Sequence, residues 1–257
     1  MEVHQHSHSH GKKSWKAYFW EFFMLFLAVT LGFFVENQRE HLIEKQRVKE
    51  YARALVYDLG KDTLNMQYIM GRVMAIIKSA DSLSNYVSSH SDGEIRNIDL
   101  FVLTTVERYP AYRWSRSTLE QIKNSGSLRY FKDEIVRKIS AYDALSRHMD
   151  EDHRSDEEVA GKAAVLLNKI VNIDYPDSLF NGLYVNADSM VKTKYFNEFY
   201  RNDTLTLLNP DKNELRLFVN ERLAVKRNLN GRINELKQLT EMAEELITLL
   251  RKEYHLK

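Results

Sequence analysis

The segment EFFMLFLAVTLGFFVEN, Glu21 to Asn37, restricts what this chain can fold into more than any other stretch. Phe22 to Val35 carries no charge, and no polar stripe runs along it. Three settings accept such a run: a membrane span, a cleaved export signal, or the buried helix of a soluble domain. Extended back to Ala17 it reaches 19 residues, interrupted only by Glu21. At 1.5 Å per residue that is about 28 Å, close to the roughly 30 Å of a bilayer's hydrocarbon core. Trp15, Tyr18, Phe19 and Trp20 cluster at the same end, as aromatic belts do at a membrane interface. Export signals end in small residues at the cleavage site, whereas this run ends Gly32-Phe33-Phe34-Val35-Glu36-Asn37. A buried soluble helix would show a polar face toward water. The reading is therefore an uncleaved transmembrane helix over 17–36, with Phe22, Leu25, Leu27, Val29, Leu31 and Phe34 in the lipid. Glu21 falls within a turn of the interface.

The flanking cations do not settle direction. Lys12, Lys13 and Lys16 precede the span, while Arg39, Lys45, Arg47, Lys49 and Arg53 follow it. Counting Lys and Arg alone leans slightly against an inside N-terminus. The segment before the span is short, a poor candidate for translocation. The expected topology is a signal anchor in a bacterial inner membrane, with residues 1–16 as a cytoplasmic His/Lys-rich tail. Residues 37–257 then form a periplasmic domain.

That domain reads as all-α. The 257 residues include only 9 Gly and 3 Pro, too few for many tight turns. The chain has 37 basic and 36 acidic side chains; removing Lys12, Lys13, Lys16, Glu2 and Glu21 leaves 34 of each. A neutral body lacks the positive field that nucleic-acid binding uses, so no nucleic-acid partner is expected. The absence of Cys excludes disulfides and thiolate chemistry.

After the span comes a seam of apolar residues spaced alternately by four and three. Val48, Leu55, Asp62, Ile69, Ile76 and Leu83 occupy one heptad position; Ala52, Leu59, Met66, Val73, Ala80 and Val87 occupy the other. Two packings fit. The helix can enter its own domain's bundle, or Leu55, Leu59, Met66, Ile69, Val73 and Ile76 can form a parallel homo-oligomer. Asp62 is the polar exception, and Asp58 lies one turn before it on the same face.

Further helices follow. One is predicted over Ile98 to Tyr109, stopped by Pro110. Ser117-x-x-Glu120 has capping-box form, and Gly126 sits where a helix stop belongs. Asp133 opens a helix expected to run to about Val171. Residues 172–210, with Pro176, Gly182 and Pro210, read as short helices and loops. Asp211 to Tyr254 is a last long helix, with Leu229, Leu236, Ala243 and Leu250 recurring every seven residues. It is expected to pack on the helix after the span.

Catalytic signatures are missing: no phosphate-cradling Gly loop, no G-x-S-x-G elbow, no H-E-x-x-H. HMDEDH places His148 and Asp152, and Asp150 and His153, at helical spacing, but no second such segment completes a di-metal bundle. His4, His6, His8 and His10 read as a solvated tail. No metal and no cofactor is expected. Arg113, Trp114, Arg116, Lys123 and Arg129 mix basic and aromatic side chains beside a Ser-Gly turn. They form the candidate interaction surface, since binding residues concentrate at loops.

WKAYFWEFFMLFLAVTLGFFVENQREHLIEKQRVKEYARALVYDLGKDT resembles the N-terminal signature of a family of single-pass membrane proteins from Bacteroidota-type bacteria. The matching residues are Glu21, Leu27 to Phe34, Arg39 to His41, Lys49 to Tyr51, Asp58, Leu59 and Asp62. STLEQIKNSGSLRYFKDEIVRKISAYD is similar to that family's central segment through Thr118, Gln121, Lys123, Ser125, Gly126, Leu128 and Tyr142. These segments cover about a third of the chain. The resemblance implies an inner-membrane anchor with an external helical domain. It brings no activity and no catalytic residues, because the family has none assigned. The expected role is non-enzymatic: association with a second copy or with another envelope protein. The competing expectation is a ligand-sensing bundle that signals through a partner membrane protein.

Overall fold

The computed structural model describes residues 14–91, 93–105, 111–176 and 194–256. They form six α-helices and one 3-10 turn, with no strand among the described residues. The helices are α1 (Trp15–Ser89), α2 (Asn97–Thr105), α3 (Ser117–Asn124), α4 (Asp133–Ile170), α5 (Lys194–Asn202) and α6 (Lys212–Tyr254). The all-α expectation is met. The chain divides into two units, residues 1–50 and 51–257, and α1 contributes to both.

In the first unit, the apolar stretch of α1 exposes every side chain described, and none of its most apolar window is buried within the chain. This helix is long and apolar enough to cross a membrane. Its rings stack along the helix: Trp15 on Phe19 and Phe19 on Phe23 at 6.2 Å, Phe22 on Phe26 at 6.3 Å. The Thr30 hydroxyl donates to the Phe26 carbonyl at 2.8 Å, so this polar group is satisfied inside the helix. Lipid supplies no partner, and such internal bonds are what a span requires. The first charges after the stretch, Glu36 and Arg39, pair with each other. The unit runs to residue 50, and nearly all side chains from 37 to 50 are exposed.

The second unit is a bundle of the remaining part of α1 with α4 and α6. Ten seam residues from Ala52 to Leu83 are each 3% exposed or less, Asp62 among them. Their partners come from the same chain. Met66 meets Thr240 of α6, and Asp81 meets Lys226 of α6, so α1 and α6 run antiparallel. α6 is antiparallel to α4 as well, by the contacts Lys132–Glu253, Lys138–Glu245 and Asp156–Arg232. α1 and α4 are thus parallel to each other. On α6, Leu229, Leu236, Leu239, Ala243, Leu246 and Leu250 are all buried. The seam offered for a parallel homo-oligomer is therefore spent inside one chain. Leu55, Leu59, Met66, Ile69, Val73 and Ile76 have no surface left for a second copy, because α4 and α6 already supply the apolar cover their burial requires.

Two parallel helices need a connection that travels the length of the bundle. The segment between α1 and α4 makes that return along α1. The Ser79 hydroxyl donates to the Leu103 carbonyl, Asn65 donates to the Arg113 carbonyl at 2.9 Å, and the Ser115 N–H reaches Asp62 at 2.8 Å. At the Ser89 end, α2 seats Ile98, Leu100 and Phe101 in a core with Leu83, Ala163, Leu166, Ile170, Tyr175, Leu215 and Phe218. Asn97, buried there, is fully used. It donates to the Asn172 carbonyl at 2.7 Å and to Tyr175 at 2.8 Å, and accepts from the Asn172 N–H at 2.8 Å.

Helix ends follow the sequence with one correction. Asp211 caps α6, accepting from the N–H groups of Asn213 and Glu214 at 2.9 and 3.0 Å. Gly126 takes the left-handed conformation at φ 67° just past α3, as a stop should. The expected capping box at Ser117 does not form. Arg116 occupies the cap position, no side chain caps it, and Glu120 instead pairs with Arg147 of α4. α2 ends at Thr105, and residues 106–110 lie outside the described residues, as do 177–193 and the His-rich tail.

Candidate functional site

Three of the five basic and aromatic residues singled out in the sequence, Trp114, Arg116 and Lys123, meet acids. The indole N–H of Trp114 donates to Asp150 Oδ1 at 2.7 Å, and Arg116 Nη1 lies 2.6 Å from Asp150 Oδ2. Arg116 Nη2 donates to the Ser146 carbonyl at 3.1 Å. Lys123 reaches Asp143 at 2.8 Å, and Arg147 joins the same carboxylate at 3.1 Å. Arg129 lies over the Tyr130 ring at 4.6 Å, and Arg113 is exposed. Of the five, Trp114 and Arg116 converge on one acid and Lys123 goes to another. As a docking patch the group is largely consumed in fastening the connecting segment and α3 to α4.

Beside this fastening lies a buried carboxylate. Asp62, 2% exposed, accepts from the Ser115 N–H at 2.8 Å and from the Tyr142 hydroxyl at 2.7 Å. One acid thus joins α1, the connecting segment and α4. Burial pushes its carboxyl above the ordinary value, against the hydrogen bonds from Tyr142 and Ser115 and with the help of nearby Asp58. Burial and the Asp62 charge raise the Tyr142 phenol far above its usual range, so it stays protonated and donates. Asp58 Oδ2 is buried with no hydrogen-bond partner, an orphan beside this joint. Asp143 behaves oppositely to Asp62. Burial opposes its charge, but Lys123 and Arg147 outweigh burial and hold its carboxyl below the usual value.

A second polar cluster joins α4 to α6. Asp156, 2% exposed, accepts from Arg232 Nε at 2.8 Å and from Asn228 at 2.9 Å. Arg232 Nη1 also sits 2.5 Å from Asp152 and 2.8 Å from Glu235. His148, Asp152 and Glu235 have ligand atoms within 4.8 Å of one another, the spacing of a metal site. The pair His148 and Asp152 was legible from its i, i+4 spacing; Glu235, 83 positions beyond Asp152 in the numbering, was not. The Arg232 guanidinium already pairs with both carboxylates as well as with Asp156, so the cluster reads as an ion-pair network.

The Ser89 end carries a pocket of about 430 Å³ between α1, Ile95 and the start of α6. Its lining combines the apolar Val87, Leu215, Val219 and Leu223 with the polar Ser84, Lys212 and Arg216. No local pattern signals it, because no single element holds the lining.

These features define an all-helical protein with one apolar helix able to cross a membrane and a helical bundle whose polar clusters are internally paired. No family model, no curated protein and no solved structure matches the chain.

Proposed function

We propose that this is a signal-anchored, non-enzymatic helical protein of a bacterial inner membrane. Its N-terminus is cytoplasmic, its bundle lies in the periplasm, and it acts by associating with another envelope protein. The observation that carries the reading is the apolar helix with no side chain buried by its own chain, on a polypeptide that elsewhere buries its apolar residues well. An apolar surface of that size in water marks a lipid or protein contact.

Association through the heptad seam is closed by the bundle, so the partner meets another face. α1 exposes Tyr57, Leu64 and Tyr68 on its outer side, at i, i+7 and i+11. A photo-crosslinking residue placed at each of these positions in cells tests the reading. The expected result is a crosslink to a second, different polypeptide from at least one of them, with none from Ile69. Crosslinks only between identical copies would replace the hetero-association by a homo-oligomer, and no crosslink at any position would contradict association through this face.

The pocket at the Ser89 end favours a second reading, a ligand-sensing bundle that signals through a partner membrane protein.

A further inference from the structure

The pocket has a chemical character of its own. Val87 and Ile95 form one apolar wall; Leu215, Val219 and Leu223 form the other. Leu215 and Val219 belong to the buried core, so the floor is rigid. Its volume falls at the lower end of the range for small-molecule sites, roughly 300–1,000 Å³. The rim is polar and one-signed. Lys212, Arg216 and Asn220 are spaced by four on α6 and share one face, opposite Ser84, Ser88 and His90 of α1 and its end. Among the described residues, no carboxylate lines the pocket. Arg216 is exposed and makes no ion pair among the described residues. The Ser88 hydroxyl is already spent on the Ser84 carbonyl at 2.7 Å, so the lining's polar donors include the Ser84 hydroxyl, the Asn220 amide and the Arg216 guanidinium.

An apolar floor below a cationic, carboxylate-free rim recognises a molecule with an apolar body and one anionic end. We propose that this pocket binds an amphipathic anion, its apolar chain along Val87, Ile95, Leu215, Val219 and Leu223 and its anionic group at Arg216. Guanidinium–carboxylate and guanidinium–phosphate pairs are the strong, directional contacts such a ligand uses. The limited volume selects a single short chain and excludes a two-chain lipid. A free fatty acid and a single-chain lipid phosphate share this chemistry. The proposal deepens the sensing reading and rests on it only for what binding does afterwards.

The full chain in lipid nanodiscs, titrated with octanoate by calorimetry against empty nanodiscs, tests it. Saturable one-to-one binding is expected. Arg216→Gln should weaken it about tenfold or more, in line with loss of a charge-assisted hydrogen bond. Ser88→Trp, at an exposed position that fills the cavity without touching the core, should abolish it. Octanol should bind at least tenfold more weakly than octanoate. A monoacyl glycerol phosphate run in parallel separates the sources: the tighter of the two probes names the free acid or the lipid-derived anion. Absence of saturable binding, binding unaffected by both variants, or octanol matching octanoate would each overturn the proposal. Octanoate binding that leaves crosslinking at Tyr57, Leu64 and Tyr68 unchanged in cells would keep the site and remove the sensing role.

Discussion

Helix α1 treats its apolar residues in two opposite ways. Between Trp15 and Val35 they coat every side of the helix and the chain buries none of them. Between Ala52 and Leu83 ten residues form one heptad seam that the bundle buries almost completely, while Tyr57, Leu64, Tyr68 and Met74 stay exposed on the other faces. The difference is one of solvent. A stripe with a polar reverse side is what a helix needs when protein lies on one side and water on the other. An all-round coat, with its Thr30 hydroxyl bonded back to its own backbone, is what a helix needs when hydrocarbon lies on every side.

The largest effects come from placing a charge in each half. Leu25→Arg with Leu27→Arg should cost about 5–7 kcal/mol of insertion free energy. The protein should leave the membrane fraction while its bundle still melts cooperatively. Ile69→Asp should do the reverse: the protein stays in the membrane pellet, and cooperative melting is lost, since an unpaired buried carboxylate costs several kcal/mol. Identical outcomes for the two variants would break the comparison.

A smaller effect probes how the protein-solvated half handles polar groups. Arg232→Met leaves Asp156 buried without its guanidinium, and should destabilise the bundle by about 3–5 kcal/mol in denaturant unfolding. A loss below about 1 kcal/mol would mean that Asp156 is satisfied without Arg232, by Asn228 and its other partners.

Two buried acids should give opposite pH signatures. The Asp62 carboxyl is raised in the folded state, so its contribution is complete below the unfolded value and is lost as pH rises through the folded one. Asp62→Asn removes that loss, so the variant should gain on the wild type as pH goes from about 4 to 7. Asp143 is lowered, so its contribution is present above the unfolded value and lost as pH falls through the folded one. Asp143→Asn should therefore cost more at pH 7 than at pH 3. Melting temperatures across that range check both slopes, and equal slopes would contradict the contrast. Smallest of all, Lys138→Ala removes an exposed pair with Glu245 and should change stability by less than about 1 kcal/mol.

Much of this architecture could be read from local pattern. The seam from Ala52 to Leu83, the cap at Asp211, the stop at Gly126 and the bounds of α4 each depend on a few neighbouring residues. What could not be read depends on partners far along the chain. Ser117-x-x-Glu120 looks like a capping box until Glu120 finds Arg147 on another helix. Trp114 and Arg116 look like a surface until Asp150 takes both. Asp62 looked like a flaw in the seam; Ser115 and Tyr142 make it a joint. The pocket was invisible because α1 and α6, more than 100 positions apart, build it together.

The central claim is that the apolar part of α1 anchors the chain in a membrane with the bundle on the outer side. Protease accessibility of a C-terminal tag in intact spheroplasts tests it most directly. The account predicts loss of the bundle to added protease, with a small fragment holding residues near 17–36 retained in the membrane. A tag that is protected until the spheroplasts are lysed would contradict it.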